Sequence, residues 1–256
     1  MSIVPAISTR SLTKRFGDVL AVDHLDLEVA PGAFFGFLGP NGAGKSTTVN
    51  MLTGLLRPTS GEALVLGRSI TEDPVGVKTL IGVVAERTGL YEYLTGREYL
   101  WFVGRVYGLP DDLIAHRSDE LLELLDLTDK AGTLIRDYSH GMQKKIALSA
   151  ALIHDPRALF LDEPFEGVDV VSASAIRDVL LALASRGTTI FFSSHILEIV
   201  EKLCSEMAII NQGRLIARGT LDQLRARAAE EKDSGLEDIF LRIIGARERE
   251  MLSWIR

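Results

Sequence analysis

Several things are scarce or missing in this 256-residue chain, and each shortage narrows what it can be. A single cysteine, Cys204, rules out an intrachain disulfide and fits a reducing compartment such as the cytoplasm. The neighbours of Cys204 suggest a buried helix position. No apolar run approaches the ~20 residues that a bilayer-spanning helix needs. The opening Met1-Ser2-Ile3-Val4-Pro5 lacks the basic start and apolar core of a secretory leader. There is no excess of positive charge. Lys and Arg number 28 against 35 Asp and Glu, a net charge of −7, which argues against a chain whose main task is gripping nucleic acid. Repeats and low-complexity stretches are absent. Any work at a membrane is therefore expected to pass through a partner.

What is present is the composition of an ordinary soluble protein, 46% hydrophobic and 25% charged. The length suits one large α/β domain, or one domain with a small appendage. Short apolar runs at Ala33–Leu38, Ile81–Val84, Ala158–Leu161, Thr189–Ser193 and Met207–Ile210 carry little internal polarity. That is expected of parallel strands covered on both faces. Between Leu12 and Ala30, apolar and polar residues largely alternate, which predicts antiparallel strands exposed on one side, joined by a strand at Ala63–Leu66. Helical spacing marks Lys45–Leu55, Arg97–Tyr107, Asp111–Leu125 and Met142–Ile153. Thr95 with Glu98, Thr220 with Gln223 and Ser234 with Glu237 have capping-box spacing. Asn211-Gln212-Gly213 reads as a hairpin turn. In the last helix Leu236, Ile239, Phe240, Ile243 and Ile244 share a face that should dock on something.

The strongest chemical signal is Gly39-Pro40-Asn41-Gly42-Ala43-Gly44-Lys45-Ser46-Thr47, set between a strand and a helix. Three glycines let the backbone curl around an anion with its N–H groups turned inward, and the helix that follows adds free donors and a positive dipole end. In such a loop Lys45 reaches the β and γ phosphates and the Ser46 hydroxyl takes a Mg²⁺ position. A second signal is Asp162-Glu163 at the end of an apolar strand, where buried carboxylates are costly without a counter-charge. Asp162 suits Mg²⁺, and Glu163 suits polarising the water that attacks the γ phosphate. A third is Ser139-His140-Gly141-Met142, with Ser139 a good N-cap. A fourth is His195, at the end of the next apolar strand.

In chain order, a phosphate loop at 39–47, a loop near 86, the 139–143 segment, the paired acids at 162–163 and the histidine at 195, within residues 8 to 225, resemble the ATP-binding-cassette (ABC) ATPase family. The resemblance implies an α/β fold: a P-loop NTPase core with a mainly parallel sheet, an N-terminal antiparallel β subdomain and an α-helical signature subdomain. It implies an ABC ATPase domain over 1–225, with the helical part at about 87–155, and a helical extension over 226–256. It assigns ATP binding to Gly39 through Thr47 (Gly39, Pro40, Asn41, Gly42, Ala43, Gly44, Lys45, Ser46, Thr47), with Phe16 stacked on the adenine. Lys45, Glu163 and His195 take the catalytic roles, His195 contacting the γ phosphate and holding Glu163. Ser139, His140, Gly141 and Met142 form the signature that serves the opposite protomer's ATP, and Asp169 sits in the loop that speaks to the opposite site. Mg²⁺ falls to Ser46 and Asp162, with Glu86 a further oxygen donor.

Two departures stand out. The signature usually reads Ser-Gly-Gly-Gln, and Glu86 stands where the family usually has a glutamine. Both variants, and the tail around Leu236–Leu241, are similar to the bacterial exporter branch of the family, which handles antibiotics, sodium or polysaccharides. The partners so implied are a membrane permease on a separate chain and a second cassette, a homodimer, at the cytoplasmic face of the membrane, with no nucleic acid. The permease is expected to dock on residues 86–105, around Glu86, Arg87, Tyr91, Tyr93 and Tyr99. A competing reading is a soluble nucleotide-gated ABC ATPase of repair, translation or regulation. Such relatives usually carry two cassettes or coiled-coil insertions, and this chain has neither.

Overall fold

Apolar strands with no polar face must be covered on both sides, and that requirement sets the architecture. The computed structural model describes residues 4–228 and 235–245. The chain begins with β1 (Ile7–Phe16) and β2 (Val19–Val29), then β3 (Phe34–Leu38) and α1 (Lys45–Leu52). Next come β4 (Ser60–Val65), β5 (Arg68–Ser69), α2 (Pro74–Lys78) and β6 (Ile81–Val84). Then follow α3 (Gly96–Val106), α4 (Asp111–Leu124), two 3₁₀ turns, α5 (His140–Leu152) and β7 (Ala158–Asp162). The remainder is α6 (Val170–Ser185), β8 (Thr189–Ser194), α7 (Leu197–Leu203), β9 (Glu206–Asn211), β10 (Arg214–Gly219), α8 (Leu221–Ala228) and α9 (Leu236–Ile243).

Six strands make the central sheet in the order β10-β9-β3-β8-β7-β6, parallel except for the β9–β10 hairpin. Adjacent residues on a strand face opposite ways. Phe191 therefore stacks on Phe35 and packs at a tilt against Phe37 and Phe160 on one face, while Phe192 meets Phe34 and Phe165 on the other. The first face is closed by α1 and by a second, antiparallel sheet of order β2-β1-β4-β5. The other face is covered by α5, α6 and α7. Burying each such phenylalanine contributes about 1.5–3 kcal/mol.

Helices α3, α4 and α5 enclose a separate small core around Leu100, Ile114, Leu122, Ile135 and Ile146. Thr95 caps α3 in a reciprocal box with Glu98. Thr220 and Gln223 make the same exchange at α8. Ser234 lies outside the described residues, and α9 opens with Gly235 at its cap. The apolar face of α9 docks on its own chain: Leu236 and Ile239 are fully buried with α6, α7 and α8, and Glu201 accepts the Leu236 N–H at 3.1 Å.

Two local expectations need correcting. Helix α1 stops at Leu52 rather than Leu55, because Gly54 turns the chain with φ +68° and leaves Leu55 exposed. Cys204 is not on a helix. It follows the last turn of α7 in extended backbone, with burial raising its thiol pKa.

Candidate functional site

Parallel strands end together, so the loops after β3, β6, β7 and β8 converge at one edge of the sheet. The loop from Gly39 to Gly44 runs into α1. Gly44 has φ +108°, and a Cβ there would lie 2.5 Å from the Ala21 carbonyl oxygen, so this turn admits only glycine. Lys45 opens the helix with its side chain only 6% exposed. Its ammonium donates to the Gly39 carbonyl at 2.9 Å and, more weakly, to that of Pro40 at 3.5 Å. Asn41, Gly42, Gly44, Lys45, Ser46 and Thr47 form one wall of a cleft of about 320 Å³. Glu86, Glu163, Glu166 and His195 form the other, with Ala21 at the edge.

At the end of β7, Asp162 and the following Glu163 are both buried. Asp162 accepts a hydrogen bond from Ser193 Oγ of the neighbouring strand, and the Glu163 N–H donates to the Ser193 carbonyl at 3.1 Å. Glu163 adopts φ +48°, a left-handed conformation rare outside glycine, which turns its side chain off the strand line. Glu163 Oε1 lies 3.3 Å from Lys45 Nζ and 3.0 Å from His195 Nδ1, and Oε2 accepts the His195 backbone N–H at 3.3 Å. Despite those short approaches, Oε1 has no hydrogen bond of sound geometry. It is a buried carboxylate oxygen held by charge alone.

Lys144 is a functional-site neighbour that the sequence reading missed. It lies in the second turn of α5 and is 2% exposed. Burial lowers its pKa, and the nearby Glu166, Asp162, Glu86 and Glu163 carboxylates act against that. Glu166 was missed as well. Only its position just past the paired acids could have flagged it.

The signature residues do not line this cleft. Ser139 caps α5 by accepting the Met142 N–H at 3.3 Å. Met142 leans on the core of the helical region. His140 Nε2 sits 3.1 Å from the carbonyl of Glu166, whose residue does reach the cleft. Gly141 is needed for packing within the chain, since a Cβ there would lie 2.7 Å from Ser172 Oγ and 2.8 Å from Asp169 Oδ2. Asp169 caps α6 by accepting the Ser172 and Val171 N–H groups at 2.9 and 3.0 Å. Those bonds, first the one from Ser172, hold its carboxyl below the usual carboxylate range. Phe16 is half-exposed at the end of β1, outside the cleft lining, with the Lys14 ammonium 5.0 Å from its ring centre.

No three acidic, histidine or cysteine side chains form a ready-made metal cage among the described residues. Mg²⁺ itself binds through one or two protein oxygens together with substrate phosphates. The Ser46 hydroxyl and the Glu86 carboxylate on the cleft walls, with buried Asp162 at the end of β7, are oxygen donors of the kind it takes. On the outer surface Tyr91, Tyr93, Trp101 and Phe102 are exposed, with the Arg136 guanidinium 5.8 Å from the Tyr93 ring centre. Tyr99 is half-buried beneath Tyr91. Among the described residues no helix is long and apolar enough to cross a membrane.

Comparison with known proteins agrees with this geometry. The family described as "ABC transporter" matches residues 22–166. A relative named "Daunorubicin resistance ATP-binding protein DrrA3", from Streptomyces coeruleorubidus, is 39% identical over 227 residues, 89% of this chain and 72% of that protein. A solved structure titled "Structure of ATP binding subunit of ABC transporter" is 27% identical, with a TM-score of 0.87 over 93% of this chain and 99% of that one. A second, "Dimeric structure of a post-hydrolysis state of the ATP-binding cassette MJ0796 bound to ADP and Pi", shares the fold with a TM-score of 0.78 at 22% identity, over 84% of this chain and 98% of that one.

Proposed function

Since the chain belongs to the ABC transporter family, as an ATP-binding domain, we propose that it is the ATP-hydrolysing subunit of an exporter and drives a membrane permease carried on a separate polypeptide. One observation carries the hydrolytic reading. Glu163, buried in the wall of a glycine-lined cleft, holds an unbonded oxygen between Lys45 and His195. The N–H groups of Gly42 to Thr47 and the start of α1 cradle the phosphates of ATP. Lys45 swings from the Gly39 carbonyl and Glu163 onto the β and γ phosphates, since a phosphate offers it stronger charge-assisted bonds than a carbonyl does. That exchange frees Glu163 Oε1 to orient and deprotonate the attacking water, while His195 keeps the carboxylate in place and contacts the γ phosphate. Mg²⁺, when bound through Ser46 and Asp162, supplies charge neutralisation at the transferring phosphoryl group. Phe16 stacks on the adenine.

The cleft is half a site. No signature residue of the same chain lines it, whereas Ser139 and His140, at the start of α5 with its N-terminal N–H donors, are exposed. A second copy packed head to tail brings those donors to the γ phosphate, with Asp169 and its loop at the join. ATP then closes the dimer and hydrolysis opens it. The exposed aromatics Tyr91 and Tyr93, beside Glu86 and Arg87, form the surface on which the permease rests, at the cytoplasmic face of the membrane. The name of the DrrA3 relative supports the exporter branch. The test is ATP turnover by the purified chain against its Glu163→Gln variant: equal rates overturn the hydrolytic reading.

A further inference from the structure

Glu86 and Glu163 follow neighbouring strands, β6 and β7, whose ends are in register at Val84 and Leu161. Between them lies one side chain from a third element. Lys144 Nζ donates to the Glu86 carbonyl at 2.9 Å and approaches the Glu163 carbonyl at 3.4 Å. Backbone carbonyls are the targets, so the link holds main chain to main chain and does not depend on where either carboxylate points. An ammonium that is 2% exposed carries a heavy desolvation cost, which the carboxylates of Glu166, Asp162, Glu86 and Glu163 oppose. A lysine kept for helix packing alone needs no such surroundings, since a methionine or leucine fills the same space at no electrostatic cost.

We infer that Lys144 is a positioning residue that couples the Glu86 loop to the backbone of Glu163, so that displacement of that loop is felt at the hydrolytic carboxylate. The inference rests on the hydrolytic role of Glu163 proposed above. Glu163 is susceptible to such a pull because it already sits at φ +48°, where few non-glycine residues are stable without support. The anchor is also well placed on its helix. Lys144 is five residues beyond Ser139, the cap that faces the second protomer, so one rigid helix touches the loop near the docking surface, the catalytic strand end and the dimer-facing cap. A shift of α5 on dimer closure therefore reaches Glu86 and Glu163 together.

Two substitutions separate this from mere packing. Lys144→Met keeps the length and apolar volume and removes the charge and donors, whereas Lys144→Arg keeps both. In steady-state ATP hydrolysis Lys144→Met should lower kcat by about ten- to a hundredfold, the scale expected when a catalytic group is misplaced by about 1 Å, and leave KM for ATP within about twofold. Lys144→Arg should recover most of that loss. An unchanged kcat, or a parallel loss of ATP binding and thermal stability in Lys144→Met with no recovery in Lys144→Arg, overturns the inference. Hydrogen exchange on the same proteins reads the coupling without turnover. Segments 82–90 and 160–168 should both gain exchange in Lys144→Met while β3 stays protected, and no change in either segment overturns it. A wild-type protein that fails to hydrolyse ATP counts against the proposed function alone, because the exchange result still decides whether the two strand ends are coupled.

Discussion

Replacing Glu163 with glutamine keeps the shape of the side chain and removes its charge and basicity. Loss of a general base costs about 10²–10⁴ in rate, or about 2.7–5.4 kcal/mol of transition-state stabilisation at 1.36 kcal/mol per decade. The effect on folding is smaller. Glu163→Gln dissolves the buried pair with Lys45, whose partners approach to 3.3 Å with 6% of each side chain exposed. Removing one member of such a pair can cost about 3–5 kcal/mol when the other is left stranded. Lys45 is not stranded, because it keeps its 2.9 Å bond to the Gly39 carbonyl. A loss of about 1–2 kcal/mol is therefore expected. ATP affinity should hold or rise, since a negative charge facing the γ phosphate has gone. The assay is phosphate release at saturating Mg·ATP, with thermal melting and nucleotide affinity measured on the same samples. A variant that keeps its fold and affinity and turns over within about threefold of wild type refutes the base assignment.

The two inner glycines of the phosphate loop should respond differently to alanine. At Gly42, φ is +78° and a Cβ meets nothing, so Gly42→Ala should cost only the left-handed strain of about 1–2 kcal/mol. Gly44→Ala adds a collision with the Ala21 carbonyl oxygen and should reach about 3 kcal/mol or more; equal urea midpoints for the two variants contradict this. Arg87 is exposed beside the aromatic surface, so Arg87→Glu should leave ATP turnover of the isolated chain intact and reduce co-purification with the permease. Full assembly of the Arg87→Glu protein removes that surface from the docking proposal.

Much of the fold was legible because fully covered strands write themselves as unbroken apolar runs. β3, β6, β7, β8 and β9 all fall where those runs lie. The exposed sheet was legible in part. Alternation marks β2, while β1 begins at Ile7, earlier than its pattern suggests, because register shifts around Thr9 and Leu12 break the two-residue period. The sequence reading assigned no helix to α6 and touched α7 only through the neighbours of Cys204. α6 is short on polar contrast and packs on the main core, and α7 is only seven residues long, too short to show a helical period. At the candidate site, Gly39–Thr47 and Asp162–Glu163 stand out because each pattern lies within one short stretch of sequence. Lys144 could not be. A lysine on a helix ordinarily reads as solvated surface, and only the convergence of β6, β7 and α5 places four carboxylates around it. Gly141 matched the signature pattern, yet its close approach to Asp169 and Ser172 of α6 is visible only in three dimensions.

The central claim is that each cleft is half a site, completed by a second copy when ATP is bound. Sedimentation of the Glu163→Gln protein, which should bind ATP without consuming it, tests this most directly. The account predicts a dimer with Mg·ATP and a monomer with ADP. A monomer under both conditions, or a dimer indifferent to nucleotide, contradicts it.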